Sequence, residues 1–126
     1  MKKEIFTAAL FVLLLAAAVF NVHHLREMTD GLSSLVGEAY HDAEAGQWES
    51  AEAKAEAALA RWDAADVYTH IFVRHSETDS VSEAFYEFLG EIYKRDAAGA
   101  HAECLALAAR LDSIYSMERI RFGTVL

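Results

Sequence analysis

His70, His75, Glu77 and Asp79 form the one local group in the chain with metal-ligand chemistry, since imidazole nitrogens and carboxylate oxygens both donate well to zinc and similar ions. Their spacing does not prescribe a site. His70 and His75 stand five residues apart, which on a helix turns them about 140° from each other, whereas an i, i+4 pair would share a face. Just ahead of an apolar stripe, Glu77 and Asp79 suit a capping turn, with His75 packing at the helix end. That is the plainer expectation, and these four residues stay as candidate metal ligands beside it.

The remaining reactive side chains are explained more simply by structure. His23 and His24 lie where an apolar run ends, the ordinary place for polar residues at the edge of a bilayer. Glu49, Glu52 and Glu56 repeat at three- and four-residue steps and read as one solvated helical face. Cys104 is the only cysteine, so no intramolecular disulfide and no cysteine zinc site can form. Set beside Leu105 and Leu107, it reads as a small buried hydrophobe. No phosphate-binding Gly-rich loop, nucleophile elbow or zinc-protease helix motif is present. The expectation is a non-enzymatic chain with no catalytic residue and no cofactor.

Elements that would position such groups are helices. The 126 residues include no proline and six glycines, while Ala, Leu and Glu dominate. That length accommodates one folded unit and an anchor. The formal charge is -9, and only Lys2, Lys3 and Glu4 of the charged residues precede residue 22, so the rest carries about -10. Nucleic acid is excluded as a partner on these grounds, because neutralising a phosphate backbone needs clustered Lys and Arg, and the basic residues here are scattered apart from Lys94-Arg95. An anionic membrane surface would likewise repel the domain.

The apolar run from residue 5 to 22 is broken only by Thr7 and Asn21. As a helix it measures about 27 Å, close to the roughly 30 Å of a bilayer core. Lys2, Lys3 and the N-terminal amine precede it, so the positive-inside bias places the N-terminus in the cytoplasm and the rest outside. Two alternatives compete with a retained anchor. A cleaved signal peptide would show the same basic and apolar regions, with Ala16-Ala17-Ala18 as the small-residue cleavage pattern. A type IV pilin start is the other, but Leu10 and Phe11 occupy the region where a pilin places glutamate.

Beyond the anchor, Leu25, Met28, Leu32, Leu35, Val36, Ala39 and Ala43 fall at three- and four-residue steps on one stripe, which predicts a helix to about Ala45, continuous with the anchor. Gly46 reads as its stop, and Trp48, Ala51, Ala55, Leu59 and Trp62 mark a second, alanine-rich helix. The pattern runs on through Val67 to Phe72 before the polar stretch His75–Ser80, which reads as a break with Asp79 or Ser80 capping the next helix and Glu83 answering Ser80. Val81, Phe85, Phe88 and Ile92, with Tyr86, Leu89 and Tyr93 adjoining, make that helix apolar over a wide arc and place it at the centre. Residues 96–99 turn the chain, and Cys104, Leu107, Leu111, Ile114 and Tyr115 stripe a last helix ending near Arg121. The fold class is all-α: an N-terminal transmembrane helix followed by an antiparallel bundle of about four helices, divided as anchor 1–24 and acidic domain 25–126. The Gly46-Gln47-Trp48 corner looks like that of a tetratricopeptide repeat, but no second copy follows, so a generic helical hairpin is the expectation.

The anchor, the Gly46-Gln47-Trp48 corner, Trp62, the His75–Asp79 box and the closing segment Leu111–Glu118 together resemble an uncharacterised family of short, membrane-anchored helical proteins of endospore-forming Firmicutes. The likeness spans essentially the whole chain through short motifs. Thr124-Val125 stands where that family typically has an Asn-Ile pair, and a His usual near Tyr115 is absent. The resemblance implies topology and a spore or envelope setting, with no reaction, and an accessory role beside a multi-pass membrane protein by analogy.

From the residues themselves, Phe72, Phe85, Tyr86, Phe88, Tyr93, Tyr115 and Phe122 beside two tryptophans amount to more apolar surface than a small bundle hides, which predicts a binding patch. The expected function is a membrane-tethered interaction or accessory module docking on a membrane protein or on itself. The alternative is an extracytoplasmic metal or small-ligand sensor using His70, His75, Glu77 and Asp79.

Overall fold

The structure, a computed structural model, describes residues 1–65 and 75–125, with side chains described for 1–65 and 76–117. Among the described residues there are four helices and no strand: α1 (Lys2–Glu44), α2 (Trp48–Ala64), α3 (His75–Tyr93) and α4 (Ala97–Val125). The apolar run and the first bundle helix are one continuous helix, as the uninterrupted stripe predicts.

Two corners of matching geometry end α1 and α3. At the first, Gly46 has φ 81°, its N–H donates to the Ala43 carbonyl and the N–H of Gln47 donates to that of Asp42. This closes the last turn with the paired bonds of a Schellman motif, where a left-handed residue favours glycine. At the second, Arg95 takes φ 57°, its N–H donates to the Ile92 carbonyl and that of Asp96 to the Glu91 carbonyl. The same motif is thus built there on a residue with a Cβ, at a cost of about 1 kcal/mol. Asp96 then caps α4, its Oδ1 accepting from the Gly99 N–H at 3.0 Å.

Cross-helix bonds fix an antiparallel order. Asp42 of α1 receives Ser50 at 2.7 Å and Lys54 at 2.8 Å from α2, and Trp62 of α2 donates to Ser82 of α3 at 2.9 Å. Arg110 of α4 donates to the Ser80 carbonyl. The Tyr40 ring lies 4.9 Å from that of His101, and the Arg26 guanidinium sits 5.3 Å over the Tyr115 ring. Helix α4 therefore runs back down α1, and each neighbour meets the next with opposite polarity.

One core fills the bundle. Phe85, Phe88, Ile92 and Val81 of α3 meet Leu107, Leu111 and Ile114 of α4, Leu25, Leu32 and Val36 of α1, and Ala51, Ala55, Ala58 and Trp62 of α2. Full burial of each large side chain contributes about 1.5–3 kcal/mol relative to exposure. The centre lies on α3, as its wide apolar arc predicts. On α1 the buried positions Asn21, Leu25, Thr29, Leu32, Val36, Ala39 and Ala43 keep the seam spacing, so burial against the bundle begins at Asn21.

Some boundaries differ from those the sequence predicts. The stretch 75–80 is not a break: His75 already begins α3, so Glu77 and Asp79 lie in its first turns rather than in a capping loop ahead of it. Acidic side chains there suit the positive end of the helix dipole. The turn before α4 is Lys94–Asp96, with Ala97–Gly99 already helical, and α4 continues past Arg121 to Val125. Residues Val67 to Phe72 lie outside the described residues.

Candidate functional site

The four sequence candidates do not assemble among the described residues. His70 lies outside them, and His75 is described only in its backbone, at the start of α3. Glu77 is half-buried, and its Oε2 is shielded with no hydrogen-bond partner among the described residues. Asp79 is exposed and engaged in an interaction of its own. Among the described residues no group of three or more His, Cys, Asp or Glu is placed to hold a metal.

A carboxyl pair that helical spacing alone does not reveal links α3 and α4. Burial holds Glu103 above the usual carboxylate range, and its hydrogen bond and charge contact with Glu87 push the same way, with Glu91 adding and Arg110 opposing. A carboxyl held above its ordinary pKa suits general acid chemistry when it faces a cleft. None of the described pockets includes Glu87 or Glu103, so the pair acts as a local electrostatic feature of the seam. The two glutamates stand on different helices, and only the antiparallel register of α3 and α4 brings them together.

Among the described residues an open trough of about 430 Å³ runs between α2 and α3, lined by Glu56, Leu59, Ala60, Asp63, Tyr86, Leu89, Gly90 and Tyr93. The sequence explains it. Helix α2 contributes the small Ala60 to the lining, and Gly90 opposite has no side chain, with nothing within 4 Å of where a Cβ would stand. The seam is closed at one end by Trp62, whose ring lies 6.3 Å from that of Phe85. Towards the other end the Tyr93 hydroxyl donates to Glu56 Oε1 at 2.6 Å. That hydrogen bond, followed by burial and the charges of Glu56 and Glu52, raises the Tyr93 pKa above the ordinary tyrosine value.

Tyr86 and Tyr93, adjoining the central stripe, are 62% and 53% exposed. They point away from the core that Phe85 and Phe88 fill, and a phenol keeps its hydroxyl wet at little cost. The described part of the aromatic excess therefore divides: Phe85, Phe88 and Trp62 are buried, Trp48 and Tyr115 are half-buried, and Tyr86 and Tyr93 border the trough. Phe72 and the side chain of Phe122 lie outside the described residues.

The second exposed apolar surface is the N-terminal part of α1, where Ile5, Phe6, Phe11, Val12, Leu13, Leu14, Val19 and Phe20 are exposed. This stretch is long and apolar enough to cross a membrane, and only 6% of its most apolar window is buried. A core helix of a water-soluble bundle would be mostly covered.

A family model described as a domain of unknown function, DUF4363, matches residues 19–125. The chain belongs to the DUF4363 family. The matched region holds all four bundle helices and only the end of the apolar run, so what defines DUF4363 here is the bundle. No curated protein and no solved structure matches the chain.

Proposed function

We propose that this DUF4363 protein is a membrane-tethered, non-enzymatic interaction module whose acidic bundle stands outside the cell membrane on a retained helical anchor. The observation that carries the reading is the continuity of α1. One helix leaves its apolar N-terminal part uncovered and then, from Asn21, supplies a seam of the bundle. Such a helix ties the orientation of the bundle to that of the span, which suits a domain that must present a face to a neighbour in the same membrane. Lys2 and Lys3 ahead of the span support a cytoplasmic N-terminus. The resemblance to membrane-anchored proteins of endospore formers supports an envelope setting.

The test is to purify the full-length chain with a C-terminal tag from membranes in mild detergent and to record its intact mass and what co-purifies. An uncleaved chain with a stoichiometric membrane partner is expected. A cleaved, soluble monomer without a partner would overturn the reading.

One observation favours a second reading, a metal or small-ligand sensor at His70, His75, Glu77 and Asp79. The shielded Glu77 Oε2 has no partner among the described residues, and a buried carboxylate oxygen left alone is costly. Equilibrium dialysis against zinc decides it, and absence of binding at micromolar metal sinks it.

A further inference from the structure

We infer that the α2–α3 trough is a docking site for a cationic amphipathic segment of a partner protein, which seats an apolar side chain over Gly90 and sets Lys or Arg against Glu56 and Asp63. The inference rests on the interaction-module reading and names the chemistry of the partner.

Three features select this occupant. The floor is apolar and open, because Leu59, Ala60, Leu89 and Gly90 leave space between the helices that no described side chain fills. Two half-exposed tyrosines border it, and tyrosine supplies large contact area with little conformational entropy to lose. The charge is one-sided: the lining includes Glu56 and Asp63 and no basic residue, and Glu52 lies close enough to act on Tyr93. Lys54 and Lys94, the nearest lysines along the two helices, are held in ion pairs with Asp42 and Glu91. An acidic partner would meet repulsion and a neutral one would cover Glu56 and Asp63 without supplying a counter-charge, whereas a basic amphipathic segment satisfies both floor and rim.

The test uses the full chain in zwitterionic nanodiscs, isotopically labelled for amide NMR, and a synthetic helical peptide of leucine and lysine, with a leucine–glutamate peptide of the same pattern as control. Saturable shifts centred on Leu59, Ala60, Leu89 and Gly90 are expected with the lysine peptide alone. Gly90→Leu, which fills the floor, and the double change Glu56→Gln with Asp63→Asn, which removes the charge, should each weaken binding about tenfold or more, while the remaining amide spectrum shows an intact fold. Shifts spread over the acidic surface, or indifference to both variants, would overturn the proposal. Equal binding of the glutamate peptide would overturn its charge requirement. Concentration-dependent shifts in the same residues without peptide would overturn it too, by assigning the trough to a second copy. Because the experiment does not depend on co-purification, a negative result here leaves the membrane-module reading to its own test.

Discussion

The seam between α1 and α4 and the seam between α2 and α3 both join neighbouring antiparallel helices, yet among the described residues one is packed shut and the other is left open. Along α1 and α4, Leu25, Leu32 and Val36 and Leu107, Leu111 and Ile114 all turn inward, and Tyr40 with His101 and Arg26 with Tyr115 cover the outside. Along α2 and α3 the packing is the sparsest of the four neighbouring pairs. Ala60 on one side and Gly90 on the other leave part of the outer half that no described side chain fills. The bundle does not need that volume for its core, since Phe85 and Phe88 close the inner half. Among the described residues the outer half of this seam is therefore left uncovered, with Tyr86 and Tyr93 exposed along it.

The comparison breaks most readily at the core. Phe88→Ala should cost about 3–5 kcal/mol and Leu111→Ala about 2–5 kcal/mol, whereas Tyr86→Ala at the trough should stay within about 0.5 kcal/mol. Denaturant unfolding of the purified full chain in detergent checks all three. A loss for Tyr86→Ala as large as that for Leu111→Ala would make the trough part of the fold. Smaller effects are expected at the two corners. Gly46→Ala should cost about 1 kcal/mol and Arg95→Gly should gain up to about 1 kcal/mol, because the first adds a Cβ at positive φ and the second removes one. Thermal melts showing shifts of the same sign would refute the shared geometry. Gly90→Ala should stabilise by about 0.5–1 kcal/mol, as a helical glycine with open space around it.

Much of this was legible in the residues. The stripe from Leu25 to Ala43, the stop at Gly46 and the central place of α3 follow from helical spacing and one glycine, and the structure has each. The start of α3 was not, because Ser, Glu and Asp favour both a capping loop and a helix's first turn, and only packing decides between them. Arg95 at positive φ carries no local signal, since nothing about arginine as a residue type marks a left-handed corner. The trough was legible only as an excess of aromatics. Which tyrosines stay outside depends on how closely α2 approaches α3, a tertiary quantity.

The finest difference between regions is electrostatic, and two carboxylates should respond to pH with opposite sign. Asp42, below its ordinary pKa through hydrogen bonds from Lys54 and Ser50, is stabilising when ionised. That contribution is present above the unfolded-state pKa and is lost as pH falls through the lower folded value. Glu103, raised by burial and by Glu87, is held more weakly as a carboxylate than as an acid. Its penalty is present above the raised folded pKa and fades as pH falls through it to the unfolded value. At neutral pH, Asp42→Asn should therefore destabilise and Glu103→Gln should stabilise, and both differences from the parent chain should shrink in acid. Urea midpoints measured across the acidic range test the pair, and a stabilising Asp42→Asn at neutral pH would show that the α1–α2 contact with Lys54 contributes nothing to stability.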